Sequence, residues 1–181
     1  MQPASFDKTG IRGYNGSKTR AKERTYMAYS QQIADGLRGL FEQLSIKARF
    51  EDKDSFGLFT IDMKLHGKLN TARMMVIVRE NNFSTLTTCP IRADENSRLA
   101  VAEYLTRANY NMRNGNFELS MADGEIRFKT YLHASDSAID VEGARLAILM
   151  PFLMFDRYGD GLLEVLFGFK SPREAMEGIE G

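Results

Sequence analysis

Four consecutive segments between Ile46 and Cys89 alternate between apolar and polar residues, and this grouping restricts the possible folds more than any other feature. A period of two is typical of β-strands with one buried face. The alternating residues are Ile46, Ala48 and Phe50; Phe59, Ile61, Met63 and Leu65; Met74, Val76 and Val78; and Phe83, Thr85, Thr87 and Cys89. Turn residues follow at 52–54, 66–68 and 81–82, where Asn81-Asn82 predicts a two-residue turn of the type that tolerates positive φ. The pattern therefore predicts an antiparallel run of three or four strands.

Helical spacing is found on both sides of these strands. An apolar stripe at steps of three and four predicts an amphipathic helix over about 21–44. The stripe consists of Ile33, Leu37, Leu40, Phe41 and Leu44. A second helix is predicted over 95–112, with Asp94 as its cap and Asn114-Gly115 at its end. Its predicted apolar face consists of Leu99, Ala102, Leu105, Ala108 and Met112.

The next segment, NFELSMADGEIRFKT at residues 116–130, predicts a β-hairpin that turns at Asp123-Gly124. Alternation assigns two sets of residues to the core, namely Phe117, Leu119 and Met121 on the first strand and Ile126, Phe128 and Thr130 on the second. The opposite face carries Glu118 and Ser120 beside Arg127 and Lys129, which favours cross-strand charge pairing.

The C-terminal third predicts a long apolar helix over 135–158, followed by short helical segments. Pro151 lies inside the long helix, so we expect a kink or break near Met150. The GDG sequence at 159–161 predicts a turn. Ser171, Pro172 and Glu174 form the pattern of a capping box at the start of a last helix.

Together these elements predict an α+β fold in which helices pack an antiparallel β-sheet, in the order α-β-β-β(-β)-α-β-β-α. Residues 1–20 are rich in Gly, Ser, Lys and Arg and predict a flexible basic N-terminal arm. We expect residues 21–181 to form a single domain, since a chain of 181 residues is long enough for one core.

Composition excludes several classes of function. Lys plus Arg and Asp plus Glu both total 24, so no overall charge attracts nucleic acid or an anionic membrane. Cys89 is the only cysteine, which excludes an internal disulfide, and His66 and His133 lack metal-ligand spacing. We therefore predict no catalytic, cofactor-binding or metal-binding residues. With no apolar run suited to a signal peptide or a membrane span, we expect a cytoplasmic protein.

The apolar C-terminal segment suggests a contact surface. Between Leu146 and Phe155, only Ala147 and Pro151 are not Leu, Ile, Met or Phe. A helix that is apolar all round must be covered all round, and a chain of this size has little to cover it with. Candidate contacts with a second subunit or a client protein are Met150, Met154, Phe155 and Phe167. The alternative is that the monomer core buries the whole segment.

One family shares the pattern of the second helix and the hairpin. The shared residues are Leu105, Asn109, Gly115, Phe117, Glu118, Leu119 and the run Asp123, Gly124, Glu125, Ile126, Arg127 and Phe128. Here the chain resembles the YbjN family, whose fold is that of the type III secretion chaperones of the CesT/Tir kind. The resemblance implies a homodimer that binds protein segments or modulates a regulatory partner, and it implies no catalytic residues. The basic arm and the segment around Pro151 depart from the family pattern.

We therefore predict a non-enzymatic protein-binding or regulatory module that forms a homodimer, binds a possible protein client, and binds neither nucleic acid nor membrane. One alternative is a small nucleic-acid-binding regulator that uses the basic arm. Another is an enzyme of unknown chemistry, which would need a concave pocket with a perturbed acid or base.

Overall fold

The computed structural model describes residues 29–110, 112–134 and 139–180. Within these ranges the chain forms four helices and six strands. Their bounds are α1 Gln31–Gln43, β1 Ala48–Lys53, β2 Phe56–Lys64, β3 Thr71–Val78, β4 Asn82–Thr88, α2 Arg98–Asn109, β5 Asn116–Leu119, β6 Ile126–His133, α3 Val141–Leu166 and α4 Pro172–Glu180. The six strands form one antiparallel sheet in the order β1-β2-β3-β4-β6-β5. The predicted α+β class is confirmed, and the proposed arm at 1–20 lies outside the described residues.

One face of the sheet forms the core together with the helices. Alternate residues of the four central strands point to this face, as the sequence pattern predicts. The fully buried members on these strands include Phe59, Ile61, Met74, Val76, Val78, Phe83, Ile126 and Phe128. On α1, the ring of Phe41 packs edge-on against Phe59 with 5.2 Å between ring centroids. The described helices thus share one core with this face of the sheet.

The first helix is shorter than its apolar pattern indicates. It begins at Gln31, because the Ser30 side chain accepts a hydrogen bond from the backbone N–H of Ile33 at 3.2 Å. The predicted stripe is otherwise confirmed, with Leu37 and Leu40 among its buried residues.

The predicted apolar face of α2 is partly wrong. Leu99 is 75% exposed, whereas Val101 and Tyr104 are fully buried together with Leu105 and Ala108. Tyr104 can be buried because its hydroxyl donates a hydrogen bond to the carbonyl oxygen of Tyr158 at 2.7 Å. Because its hydroxyl has a partner, Tyr104 takes a place in the core of α2, whereas Leu99, which spacing alone assigns to the core, is exposed.

The structure also tests the predicted helix cap at Ser171 and the predicted turn at Asn81-Asn82. The capping box of α4 is confirmed: the Ser171 N–H donates to the Glu174 carboxylate at 2.9 Å, and the Glu174 N–H donates to the Ser171 hydroxyl at 3.3 Å. The turn at Asn81-Asn82 tolerates positive φ but does not use it, since among the described non-glycine residues only Ser45 and Asn70 have positive φ.

We expected a kink or a break near Met150; the third helix is continuous through Pro151, so the break does not occur. Proline has no N–H, and the carbonyl of Ala147, four residues earlier, therefore loses its usual donor. The hydroxyl of Thr130 on β6 supplies a replacement and donates to the Ala147 oxygen at 3.0 Å. Thr130 has then used its only proton, so the hydroxyl of Thr85, 2.7 Å away, donates to Thr130.

This hydroxyl chain predicts a coupling between Thr130 and Pro151. Thr130→Val leaves the buried Ala147 carbonyl without a donor, and we expect a loss of about 1–3 kcal/mol in the free energy of unfolding. In a Pro151→Ala background the helix supplies its own N–H, so the same substitution should be markedly less destabilising. Urea denaturation of the four proteins measures the coupling. Equal losses in both backgrounds would contradict the proposed compensation.

The GDG sequence at 159–161 lies within α3, so the predicted turn is wrong. Its glycines permit close packing instead. A Cβ at Gly159 would lie 2.6 Å from Leu69, and one at Gly161 would lie 2.5 Å from the Tyr104 hydroxyl. Asp160, between them, accepts a hydrogen bond from the Lys68 N–H at 2.7 Å. The segment therefore holds both α2 and the β2–β3 loop against α3.

Alanine substitutions should distinguish packing from propensity. Gly161→Ala improves the intrinsic helix propensity, yet we expect it to destabilise the protein by about 1–3 kcal/mol through collision with Tyr104. The matched control is Gly39→Ala in α1, where a Cβ meets no atom within 4 Å. This control should stabilise the protein by about 0.5–1 kcal/mol. Thermal and urea unfolding check both signs, and stabilisation by Gly161→Ala would refute the packing role.

Candidate functional site

The second face of the sheet is covered by none of the described helices and carries an apolar patch. Register places Leu58 opposite Ile77 and Met75 opposite Leu86, on three adjacent strands. These side chains are partly exposed and do not belong to the core. Phe56 extends the group, with the guanidinium carbon of Arg79 5.4 Å from the centroid of its ring. We call Phe56, Leu58, Met75, Ile77 and Leu86 the open-face patch.

A row of ion pairs borders the open-face patch toward one end of the strands. On β2 and β3, the Arg73 guanidinium donates to the Asp62 carboxylate at 2.7 Å. On β5 and β6, Arg127 donates to Glu118 at 2.7 Å. Burial acts to raise the pKa of Glu118, but the hydrogen bond and charge of Arg127 outweigh it and lower that pKa. An apolar centre beside paired charges is the usual anatomy of a protein–protein interface.

A second apolar surface lies on the side of α3 that faces away from the sheet. Leu146 and Leu153 are 41% and 55% exposed, and Leu149 between them is partly exposed. Their spacing of three and four residues places all three on one stripe of the helix. Glu142 and Arg157 continue this stripe at its two ends, one turn beyond the leucines. We call Glu142, Leu146, Leu149, Leu153 and Arg157 the outer stripe.

The structure separates the four contact residues suggested by the sequence. Phe155 is only 1% exposed and packs edge-on against Phe117, so it belongs to the core and not to a contact surface. Met150 and Met154 are partly buried against the core. Phe167 is 59% exposed at the end of α3 and lies near Phe169. A dense apolar segment thus has a buried side and an exposed side, which composition alone does not distinguish.

The open-face patch is absent from the sequence-based prediction, and the leucines of the outer stripe lie in the predicted contact segment but were not among its named candidates. A signal was present in the run MMVIV at residues 74–78, which is apolar at every position. Such a run is typical of a strand with apolar surroundings on both faces, whereas the prediction used only its alternate residues.

The motif residues that carry the family resemblance attach the hairpin to its surroundings. The Asn109 amide donates to the Phe117 carbonyl at 2.9 Å and accepts from the Phe117 N–H at 2.7 Å. Gly115 and Gly124 adopt positive φ, and a Cβ at Gly124 would lie 1.9 Å from the backbone oxygen of Ala93. Leu105 and Phe128 are buried.

The charged motif residue Asp123 has partners both inside and outside the hairpin. A hydrogen bond with Ser120, and then the ion pair with Arg92, lower the pKa of Asp123 to about 2. Met121 is exposed, so its predicted core position is wrong, because β5 ends at Leu119 and Met121 lies in the turn. These contacts of the motif residues are contacts within the fold.

Comparison with models of protein families identifies the family of this chain. The model of the YbjN family, described as "Putative bacterial sensory transduction regulator", matches residues 34–164. The chain belongs to the YbjN family. The matched range runs from α1 into α3 and includes the hairpin with Asn109.

Among solved structures, the YbjN-family chain is similar to the "Crystal structure of YbjN, a putative transcription regulator from E. coli". The two chains are 11% identical with a TM-score of 0.47, and the match covers 75% of this chain and 90% of that one. Curated protein sequences give no significant match.

The family description names a regulator rather than an enzyme. Among the described residues, no group of three or more His, Cys, Asp or Glu side chains could hold a metal ion. His66 is exposed, and a hydrogen bond with Asp156 raises its pKa. Burial raises the pKa of the Cys89 thiol to about 11. In the described part of the chain, no helix combines the length and the apolar character needed to cross a membrane.

The buried environment of Cys89 predicts that its thiol reacts slowly. At pH 8 a thiol with a pKa of about 11 is almost entirely protonated, and the thiolate is the reactive form. We expect the native protein to react with iodoacetamide far more slowly than the urea-unfolded protein, as measured by mass spectrometry. Rapid modification of the folded protein would show that Cys89 is accessible and activated.

Proposed function

We propose that this YbjN-family chain is a non-enzymatic regulatory module that acts as a homodimer and binds a protein partner on the open face of its sheet. The open-face patch is the observation that supports the partner site. Burial of apolar surface contributes about 25 cal/mol per Å², so five partly exposed apolar side chains are a large potential source of affinity.

The chemistry of this face favours a protein over other partners. A nucleic acid would require unpaired Lys and Arg side chains, whereas Arg73 and Arg127 are engaged with carboxylates of the same face. A small molecule would require a concave site, whereas the patch follows the strands of an open sheet. An extended apolar patch bordered by paired charges fits the apolar surface of another protein.

Ile77→Lys tests the partner site. The lysine places a charge at the centre of the open-face patch, and we expect it to reduce capture of the partner by at least about tenfold. The fold should be retained, because Ile77 lies outside the core. The matched control is Leu99→Lys, which changes an exposed leucine of α2 that is not part of the open-face patch. Affinity capture from the native host with quantitative mass spectrometry compares the variants, and circular dichroism checks folding.

Equal capture by the wild-type chain and Ile77→Lys would exclude this face as the partner site. The alternative based on nucleic acid depends on residues 1–20, which lie outside the described residues. A salt-dependent shift of DNA or RNA that disappears when residues 1–20 are deleted would favour that alternative. The cytoplasmic location and the limits of the predicted domain at 21–181 stay predictions.

A further inference from the structure

The two outer residues at each end of the outer stripe are placed evenly about one midpoint on α3. This midpoint lies between Leu149 and Met150, and Leu146 and Leu153 are equally distant from it. Beyond the leucines, one end carries the acid Glu142 and the other carries the base Arg157, again at equal distances. The stripe is therefore complementary to a reversed copy of itself.

We propose that two copies of this chain dimerise through the outer stripe, with their α3 helices antiparallel about a two-fold axis near Leu149 and Met150. This inference rests on the proposed homodimer and assigns its interface. In this arrangement Leu146 packs against Leu153 of the partner subunit, and the leucines at position 149 meet near the axis. A two-fold interface of this kind uses the same surface on both subunits.

Charge complementarity identifies a second copy as the occupant. The antiparallel arrangement places Glu142 beside Arg157 of the partner subunit, and symmetry produces this ion pair twice. A parallel arrangement would instead place Glu142 beside Glu142. The Glu142 side chain is 80% exposed, and among the described residues its only ion-pair contact is with Arg145 at 3.6 Å. Arg157 contacts the ring of Tyr158 at 5.5 Å and has no ion-pair partner among the described residues.

The dimensions of the stripe suit a modest interface. From residue 142 to residue 157 the helix rises about 22 Å, which is roughly four turns. Two helices packed along this length approach to about 8–10 Å between axes. Stable interfaces bury about 1,200–2,000 Å² in total, and one helix pair lies at the lower end of this range. The dimer should therefore dissociate on dilution.

The first experiment measures the dissociation constant of the dimer by sedimentation equilibrium. Leu149→Lys and Leu153→Lys should each weaken dimerisation by at least about tenfold, because they place like charges in the interface. Leu99→Lys, an equally drastic change of an exposed leucine, should have no effect. Ile77→Lys should also leave the dimer intact, because the open-face patch lies on the other side of the molecule.

The second experiment exchanges the charges. Glu142→Arg alone and Arg157→Glu alone should each weaken the homodimer, since like charges then face each other across the axis. An equal mixture of these two variants should form a heterodimer, because both of its ion pairs are restored. A chain that carries both substitutions should also dimerise. Misfolding could explain weaker dimerisation of each single variant. It cannot explain why dimerisation returns when the charges are complementary again.

The outcomes separate the two proposals. A wild-type dimer that is unaffected by the lysine substitutions and by the charge exchange overturns the α3 interface and leaves the homodimer standing. A strictly monomeric wild-type chain at high micromolar concentration overturns both the interface and the homodimer. Neither result decides whether the open face binds a partner, since the capture experiment with Ile77→Lys measures that independently.

Discussion

The contact between the hydroxyl of Thr130 and the carbonyl of Ala147 determines how α3 lies on the sheet. Pro151 creates an unpaired acceptor in the interior of the protein, and an unpaired buried carbonyl is expensive. Because the replacement donor comes from β6, the helix can retain its internal proline only where it lies against that strand. The hydrogen bond that Pro151 removes from the helix thus constrains the position of α3 against β6.

Farther along α3, the Gly159 to Gly161 segment fixes the other half of the helix. The two glycines allow Leu69 and the Tyr104 hydroxyl to approach the helix backbone. Asp160 accepts a hydrogen bond from the backbone of the loop between β2 and β3. These contacts fix both halves of α3 on its buried side, so the opposite side of the helix is exposed to solvent. Leu146, Leu149 and Leu153 are therefore exposed as a consequence of how the buried side is attached.

Local periodicity predicted the parts of the fold that depend on neighbouring residues. The three or four strands before α2, of which the structure has four, the hairpin, the capping box at Ser171 and the buried set on β6 follow from spacing and turn chemistry. The failures at Pro151 and at Gly159 to Gly161 have a common cause, because in each case a distant residue supplies what the local sequence lacks. Thr130 lies at the end of the predicted hairpin and Pro151 lies inside the next predicted helix, and spacing cannot reveal that Thr130 bonds to the carbonyl that Pro151 leaves without a donor.

The same reasoning explains the incomplete prediction of the candidate surfaces. Composition identified the C-terminal segment as too apolar to be covered on every side, but only the packing of α3 assigns Phe155 to the core and Leu153 to the surface. The two surfaces that result lie on opposite sides of the molecule, since α3 turns its outer stripe away from the sheet and the open-face patch lies on the uncovered side. If α3 pairs with a second copy, both open faces remain accessible at the two outer sides of the dimer. Such a dimer can engage two copies of a partner, or two segments of one partner, and the second contact then benefits from a high effective concentration. Weak binding at each open face would thereby become strong binding by the dimer, which links the strength of the α3 contact directly to the proposed regulatory function.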